Sequence, residues 1–325
     1  GFSTGSDSFF PFIGVSLTYW DRTSEDIIRA LDVPPSTGSS SILTNALTFE
    51  SNGIQASLNS TAIETNNFAW DLTVNFSQSV NRVADIANDK DIPLGNNFVI
   101  SEGEVVGAFF GIEPLTSLEQ TRPDGSRYIP ESDVNDFEVG PRGWVVNRNS
   151  KAVQFTEDQV VIGDPTPDFV MSFINGFRIK DRFKLGFQLD WFQGGDIYNQ
   201  TKQWLYRDLV HKDVATPITI NGETQAWTNW YQSLYSTNNP NKGFVEDGTF
   251  VRLRRIDVSY DFADFVKGFE RLRLTLAGNN LLTITDYTGL DPEASSLLNE
   301  PVERGLDQFA FPNFKTYEVR LDITF

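Results

Sequence analysis

Phe183-Lys184-Leu185-Gly186-Phe187-Gln188-Leu189-Asp190-Trp191 alternates apolar and polar residues without a break. A period of two places every apolar side chain on one face of an extended chain and every polar one on the other, which is the signature of a two-faced β-strand. The pattern recurs on both sides of this stretch. Upstream it runs through Ile13, Val15, Leu17 and Tyr19, through Ile54, Ala56 and Leu58, and through Trp70, Leu72, Val74 and Phe76. Downstream it returns in Leu272, Leu274 and Leu276, and finally in Tyr317, Val319, Leu321, Ile323 and Phe325. Helical periodicity is weak throughout, with Asp261 to Phe269 the best short candidate.

The connections alternate as well. Strands expected near 44–60 and 68–84, near 167–179 and 183–195, and near 246–260 and 270–285 are joined in pairs by short polar links. Between the pairs lie long connections at about 85–166, 196–245 and 286–314, rich in Gly, Pro, Asn and Asp. Loops of that length are uncommon in compact domains and are usually functional. Short turns at one end of long strands and long loops at the other describe an antiparallel transmembrane β-barrel. A soluble secreted β-sandwich that binds carbohydrate is the rival from another class. It has the difficulty that sandwich strands run to about 5 or 6 residues, whereas these sustain alternation for longer and end in aromatics such as Trp70, Trp191, Tyr260, Tyr317 and Phe325, as interfacial girdles do.

Composition narrows the function. The 325 residues carry 26 Lys and Arg against 44 Asp and Glu, a net charge of −18, so clustered cations for a phosphate backbone are lacking and nucleic acid is not an expected partner. Cysteine is absent, and Met and His occur once each, which removes thiolate chemistry, disulfides and Cys/His zinc sites. The longest apolar run, Val105 to Ile112, contains two glycines and falls far short of the ~20 residues of a spanning helix. The first residues show no signal or transit peptide pattern.

Several phrases in the last third are more specific than alternation: Asp247-Gly248-Thr249-Phe250-Val251-Arg252-Leu253-Arg254, then Asn279-Asn280-Leu281-Leu282, then Gly289-Leu290-Asp291-Pro292-Glu293. Others precede them in order: Pro34-Pro35-Ser36-Thr37-Gly38, Glu50-Ser51-Asn52-Gly53-Ile54, Ile162-Gly163-Asp164-Pro165-Thr166-Pro167-Asp168-Phe169 and Gly194-Gly195-Asp196-Ile197-Tyr198-Asn199. Taken together, the chain resembles, over nearly its whole length, the C-terminal part of the barrel of SusC/RagA-type TonB-dependent transporters. The resemblance implies an outer-membrane barrel of about 22 strands with a plugged lumen. It also implies a SusD-type surface lipoprotein as partner, oligosaccharide or peptide substrates, and energy delivered by TonB. Residues 1–325 are then expected to be the C-terminal portion of such a barrel, without the plug and the N-terminal TonB-contacting segment. A TonB-dependent receptor for a siderophore or cobalamin shares the barrel and remains the nearer alternative. With the last strand ending at the periplasm, the long loops face outside and the turns around Ser60–Asn67, Lys180–Arg182 and Asp261–Glu270 face the periplasm.

Candidate site residues follow from chemistry. Trp204, Tyr206, Trp227, Trp230, Tyr231 and Tyr235 crowd the 196–245 loop, where flat rings offer apolar area to a sugar face or a partner; packing of the loop on itself is the plainer reading. Trp227, Trp230 and Tyr231 are favoured among them, with Phe109 and Phe110 weaker. Arg252, Arg254 and Arg255 interrupt the alternation of their strand. An Arg on the lipid face at mid-depth costs about 2 to 4 kcal/mol, so Arg252 and Arg254 are assigned to the lumen and a bulge is expected nearby. Tyr317, Val319, Leu321, Ile323 and Phe325 form the expected terminal strand. Carboxylate pairs, Asp291 with Glu293 and Glu246 with Asp247, have the right chemistry for acid and base roles, but solvated loop charge or turn chemistry is the simpler assignment, and the protein is not expected to be an enzyme. No cofactor is expected. A structural calcium near Asp124, Asp133 and Asp136 stays open, without the twelve-position calcium-loop pattern. His211 has no Cys or His neighbour in sequence and reads as a surface residue.

Overall fold

The computed structural model describes residues 8–34, 36, 38–95, 97–235, 240–262, 270–293 and 304–324. Eight long strands form one antiparallel sheet in chain order: β1 (Ser8–Asp32), β2 (Ser41–Glu64), β3 (Phe68–Ile86), β4 (Phe169–Ile179), β5 (Phe183–Gln193), β6 (Phe250–Asp261), β7 (Arg271–Thr285) and β8 (Thr316–Thr324). Each pairs with its neighbours in sequence, so the wall is an uninterrupted meander. The turn between β4 and β5 is tight because Lys180 and Asp181 both take the left-handed conformation, at φ 49° and 56°, which matches the twist of a hairpin. Asp261 to Phe269 lies mostly outside the described residues, as does Phe325 altogether.

Register converts alternation into two chemically distinct faces. Leu185 pairs with Phe177 on one side and Val258 on the other, and Val258 pairs with Leu276, itself opposite Val319. Phe177 in turn lies opposite Trp70. This apolar face carries two aromatic groups. Trp70, Phe177 and Phe187 stack at 5.8 and 6.1 Å, while Phe76, Phe169 and Trp191 meet at 5.8 and 5.0 Å toward the opposite strand ends. From Phe169 to Phe177 is eight residues, or ~27 Å of strand, which tilt reduces to about the height of the apolar band of an outer-membrane barrel. Leu17, Val15, Val319 and Tyr317 remain 72, 74, 75 and 78% exposed on this face. An apolar sheet face left open in this way suits lipid. Among the described residues no second sheet packs against it, which corrects the sandwich alternative.

β1, β2 and β3 have 25, 24 and 19 residues; β1 and β2 run past the stretches expected there, while β3 nearly matches its expected span. A crossing takes about 9–11 residues, so these three stand well clear of the apolar band. Their outer ends supply Leu31, Ala46, Leu47, Val83 and Ile86 to the main hydrophobic core. The long connections supply the rest, including Phe98, Phe109, Tyr198, Tyr206, Trp230, Leu234 and Phe244. Where the sequence suggests loose loops, the structure has a folded body. It contains a four-stranded sheet from Ile92–Leu94, Phe98–Ile100, Ala108–Gly111 and Val160–Gly163, and helices α1 (Gln200–Arg207) and α2 (Thr228–Ser233).

Candidate functional site

The polar face of the wall has two unlike halves. On β6 the pairing slips between Leu253 and Arg255, on the sides of both β5 and β7, making a bulge at Arg254. The slip restores parity, so Arg252, Arg254 and Arg255 all reach the polar side, where a regular strand would have sent Arg255 to the other face. Arg252 is 2% exposed. Its guanidinium donates to Thr283 Oγ1 at 3.0 Å, to Glu293 at 2.6 Å and to Asp291. Arg254 makes a bidentate pair with Glu293 at 2.8 and 2.9 Å and reaches Asp190 on β5 at 2.7 Å. Asp190 also accepts from Ser172 and Gln188, each at 2.8 Å. Planar, forked donors meeting carboxylates two oxygens at a time give the strongest ion-pair geometry available.

Asp291 and Glu293 therefore belong to a cation-bound anchor and not to an acid–base pair. Burial alone would raise the Asp291 carboxyl, but Arg252 and the backbone N–H groups of Glu293 and Asn313 outweigh it and hold its pKa below the ordinary carboxylate range. Glu246 is similar: burial is outweighed by the Thr288 N–H and hydroxyl and by Lys202, 2.9 Å away. Tyr287 donates to Asp307 at 2.6 Å, and Thr201 donates to the same carboxylate at 3.0 Å. Residues 287–293 are thus tied to β6, to α1 and to the 306–307 segment, above the charged half of the polar face.

Across the middle of β1 to β4 the same face is neutral, with Arg22 above this stretch and Asp71 and Arg178 below it. Ser16 lies opposite Ser57, Ser57 opposite Asn75, and Asn75 opposite Ser172; one rung further, Thr18, Gln55 and Ser77 are in line. These side chains line a recess of about 360 Å³. The charged half carries Arg252, Arg254, Asp257, Arg273 and, on β8, Glu318, Arg320 and Asp322, largely paired with one another.

The loop aromatics divide into two sets. Tyr206, Trp230 and Tyr231 are buried at 0, 2 and 3% exposure, with Trp230 stacked on Trp144 and Tyr231 edge-on to both Trp230 and Tyr206. They are core of the loop body and present no face to a ligand, which corrects their selection as contact residues. Trp204, Trp227 and Tyr235 are half-buried at its surface. Lys151 sits 4.6 Å over Trp227, and Arg207 sits over Trp204 and Tyr235 at 6.0 and 5.2 Å. Phe109 is buried in the same core.

The remaining candidates are occupied locally. Asp124 accepts from the N–H and hydroxyl of Ser126 at 2.8 and 2.6 Å, a turn motif. Among the described residues no group of three or more His, Asp or Glu gathers as a metal site would. His211 Nδ1 accepts from the Asp213 N–H at 3.2 Å, capping a short 3₁₀ turn. Burial lowers its pKa against the pull of Asp213, so the ring is neutral near pH 7. Tyr317, Val319, Leu321 and Ile323 lie on β8, paired to β7.

The anchor of Asp291 and Glu293 on two strand arginines is what sequence reasoning missed. The spacing Arg-X-Arg followed about forty positions later by Asp-X-Glu was visible, but nothing local links the two. No family model matches the chain. A TonB-dependent receptor of Formosa agariphila, designated P3, is 28% identical over 96% of this chain and 32% of the receptor. The TonB-dependent receptor SusC of Bacteroides thetaiotaomicron is 21% identical over 94% of the chain and 29% of the receptor. Among solved structures, the RagAB peptide transporter superposes with a TM-score of 0.65 at 16% identity, over 96% of this chain and 33% of that one. The chain spans about a third of the length of these relatives. In sequence the chain is similar to TonB-dependent receptors, SusC among them, and its fold is that of a stretch of antiparallel outer-membrane barrel wall.

Proposed function

We propose that this chain forms wall and surface loops of an energy-coupled importer of oligosaccharides or peptides, working with a SusD-type lipoprotein at the cell surface. The observation that carries the reading is the pairing of a lipid-suited apolar face with a polar face whose outer end is roofed by a folded loop body. A wall with a passage behind it and a structured entrance above it serves transport, and no catalytic constellation competes with that reading among the described residues. The single sheet has open edges at β1 and β8. Unpaired backbone is not tolerated in hydrocarbon, so in this reading both edges pair with further strands of a larger barrel.

The test is extraction of the native outer membrane in detergent, with a tag placed in the 208–217 segment, followed by mass identification of what accompanies the protein. A lipoprotein in equal amount supports the reading. Recovery of the protein from the aqueous fraction, without detergent and without a lipoprotein, overturns it.

A further inference from the structure

Resting on the transport reading, we infer that the neutral half of the wall is the substrate lane, and that Trp20 is a stacking platform for a neutral saccharide ring at its outer end. Trp20 is on the polar face of β1, directly opposite Gly53 of β2, which is itself opposite Ser79 of β3. The indole lies flat against the sheet because position 53 has no side chain: a Cβ there would stand 2.7 Å from two atoms of the ring and 2.6 Å from the Gln78 carbonyl. Any other residue at 53 would lift the ring off the wall. One face of the indole is therefore seated on backbone, and the other is turned toward a cavity of about 380 Å³.

That cavity lies between wall and loop body. Its lining includes Ser51, Ser79 and Asn81 from the strands, and Thr166 and Arg304 from the loops. Its volume falls at the lower end of the range of small-molecule sites. Ser51 donates to the Asn81 amide oxygen at 2.7 Å, and Ser57 does the same to Asn75 at 2.9 Å three rungs below. With its oxygen held, each amide offers its NH2 to a ligand oxygen. Below Trp20 the lane continues through Thr18, Gln55 and Ser77 to Ser16, Ser57 and Asn75, in rungs about 7 Å apart along the strand.

The chemistry selects the ligand. An aromatic face with hydroxyl and amide groups around it matches a sugar ring, apolar on its C–H face and hydroxylated at its rim. Between Ser16 and Trp20 a charged peptide would find no counter-charge; Arg22, opposite Ser51, and Arg304 are the charges at the outer end, and the network of paired charges lies on β5 to β8.

The test uses the intact transporter, purified in detergent with whatever lipoprotein accompanies it. Calorimetric titrations are made with laminarihexaose, xylohexaose and maltohexaose, and with a hexapeptide of alternating Lys and Asp. Trp20→Ala is expected to weaken binding of the glycan that wild type takes by at least tenfold, Trp20→Phe to retain most of it, and Tyr19→Ala, altered on the lipid side, to leave it unchanged. Asn81→Asp, which keeps size and adds a charge, is expected to weaken it as well, and answers for the lane if Trp20→Ala does not assemble. Equal glycan affinity in wild type, Trp20→Ala and Asn81→Asp overturns the inference and leaves the transport reading standing. Binding of the peptide with none of the glycans overturns the neutral-saccharide assignment alone. Loss of the detergent requirement overturns the transport reading and this one with it.

Discussion

Replacing Arg252 with Met should release the 287–293 segment from the wall. The guanidinium is 2% exposed and, among the described residues, is the only cation bonded to Asp291, a carboxylate 5% exposed. Glu293 would keep Arg254, so the loss concentrates on Asp291, left with two backbone N–H donors from Glu293 and Asn313 at 3.0 and 2.9 Å. Removing one member of a buried pair costs about 3–5 kcal/mol, mostly because the partner stays buried and uncompensated. If the segment opens locally to let Asp291 reach water, about 3 kcal/mol corresponds to roughly a hundredfold larger open population. Amide hydrogen exchange at Glu293 and Asn313, read by mass spectrometry on the protein in lipid, should accelerate by that factor. Adding Asp291→Asn to Arg252→Met should slow exchange again relative to Arg252→Met alone, because the neutral amide no longer needs a cation. Unchanged exchange in the single variant, or strict additivity in the double, would refute the argument that the pair anchors the loop.

Three further outcomes follow from the same geometry. Phe187→Arg, on the lipid face at mid-strand, should cost about 2–4 kcal/mol and abolish the heat-modifiable band on a gel, while Gln188→Arg, one residue along and beside Asp190, should assemble normally. Trp230→Ala should cost about 3–5 kcal/mol of loop-body stability, seen as a lower melting transition, whereas Trp204→Ala at the surface should leave that transition nearly in place. The Asp291 anchor should be insensitive to mild acid: a folded pKa held below the unfolded value contributes stability that is present above the unfolded pKa and lost as pH falls through the folded one, so protection at Asn313, taken relative to the intrinsic exchange rate at each pH, should not change between pH 7 and pH 5.

The wall was legible because its code is local. Leu185, Phe187 and Leu189 announce a strand and its faces within five residues, and Lys180 and Asp181 mark the turn before it. The loop body was not legible for the opposite reason. Segments such as Phe98–Ile100 and Val145–Asn147 have three residues each, too few to show a period even though they pair with nearby segments. Burial of Trp230 depends on Trp144, on Tyr206 and on outer wall ends, contacts that no sequence window contains. The extension of β1 and β2 beyond the membrane was hidden as well, since past the apolar band the alternation gives way to residues such as Arg22, Thr23 and Ser24, which read as loop.

The two halves of the polar face divide one problem. A loop body of this size must be held at a fixed height above the wall, and the fixed points are charges: Arg252 and Arg254 on Asp291 and Glu293, with Lys202 on Glu246. Such pairs grip because each buried charge would be costly alone, and the same property would make them poor neighbours for a passing substrate, which would be caught by any unpaired member. A surface along which a ligand must bind and then leave needs many weak, interchangeable donors and acceptors, and Ser16, Thr18, Gln55, Ser57, Asn75 and Ser77 supply them without a single formal charge. Segregating anchors to β5–β7 and hydroxyls to β1–β4 lets one sheet hold its roof rigidly and still present a surface of low and even affinity beneath it.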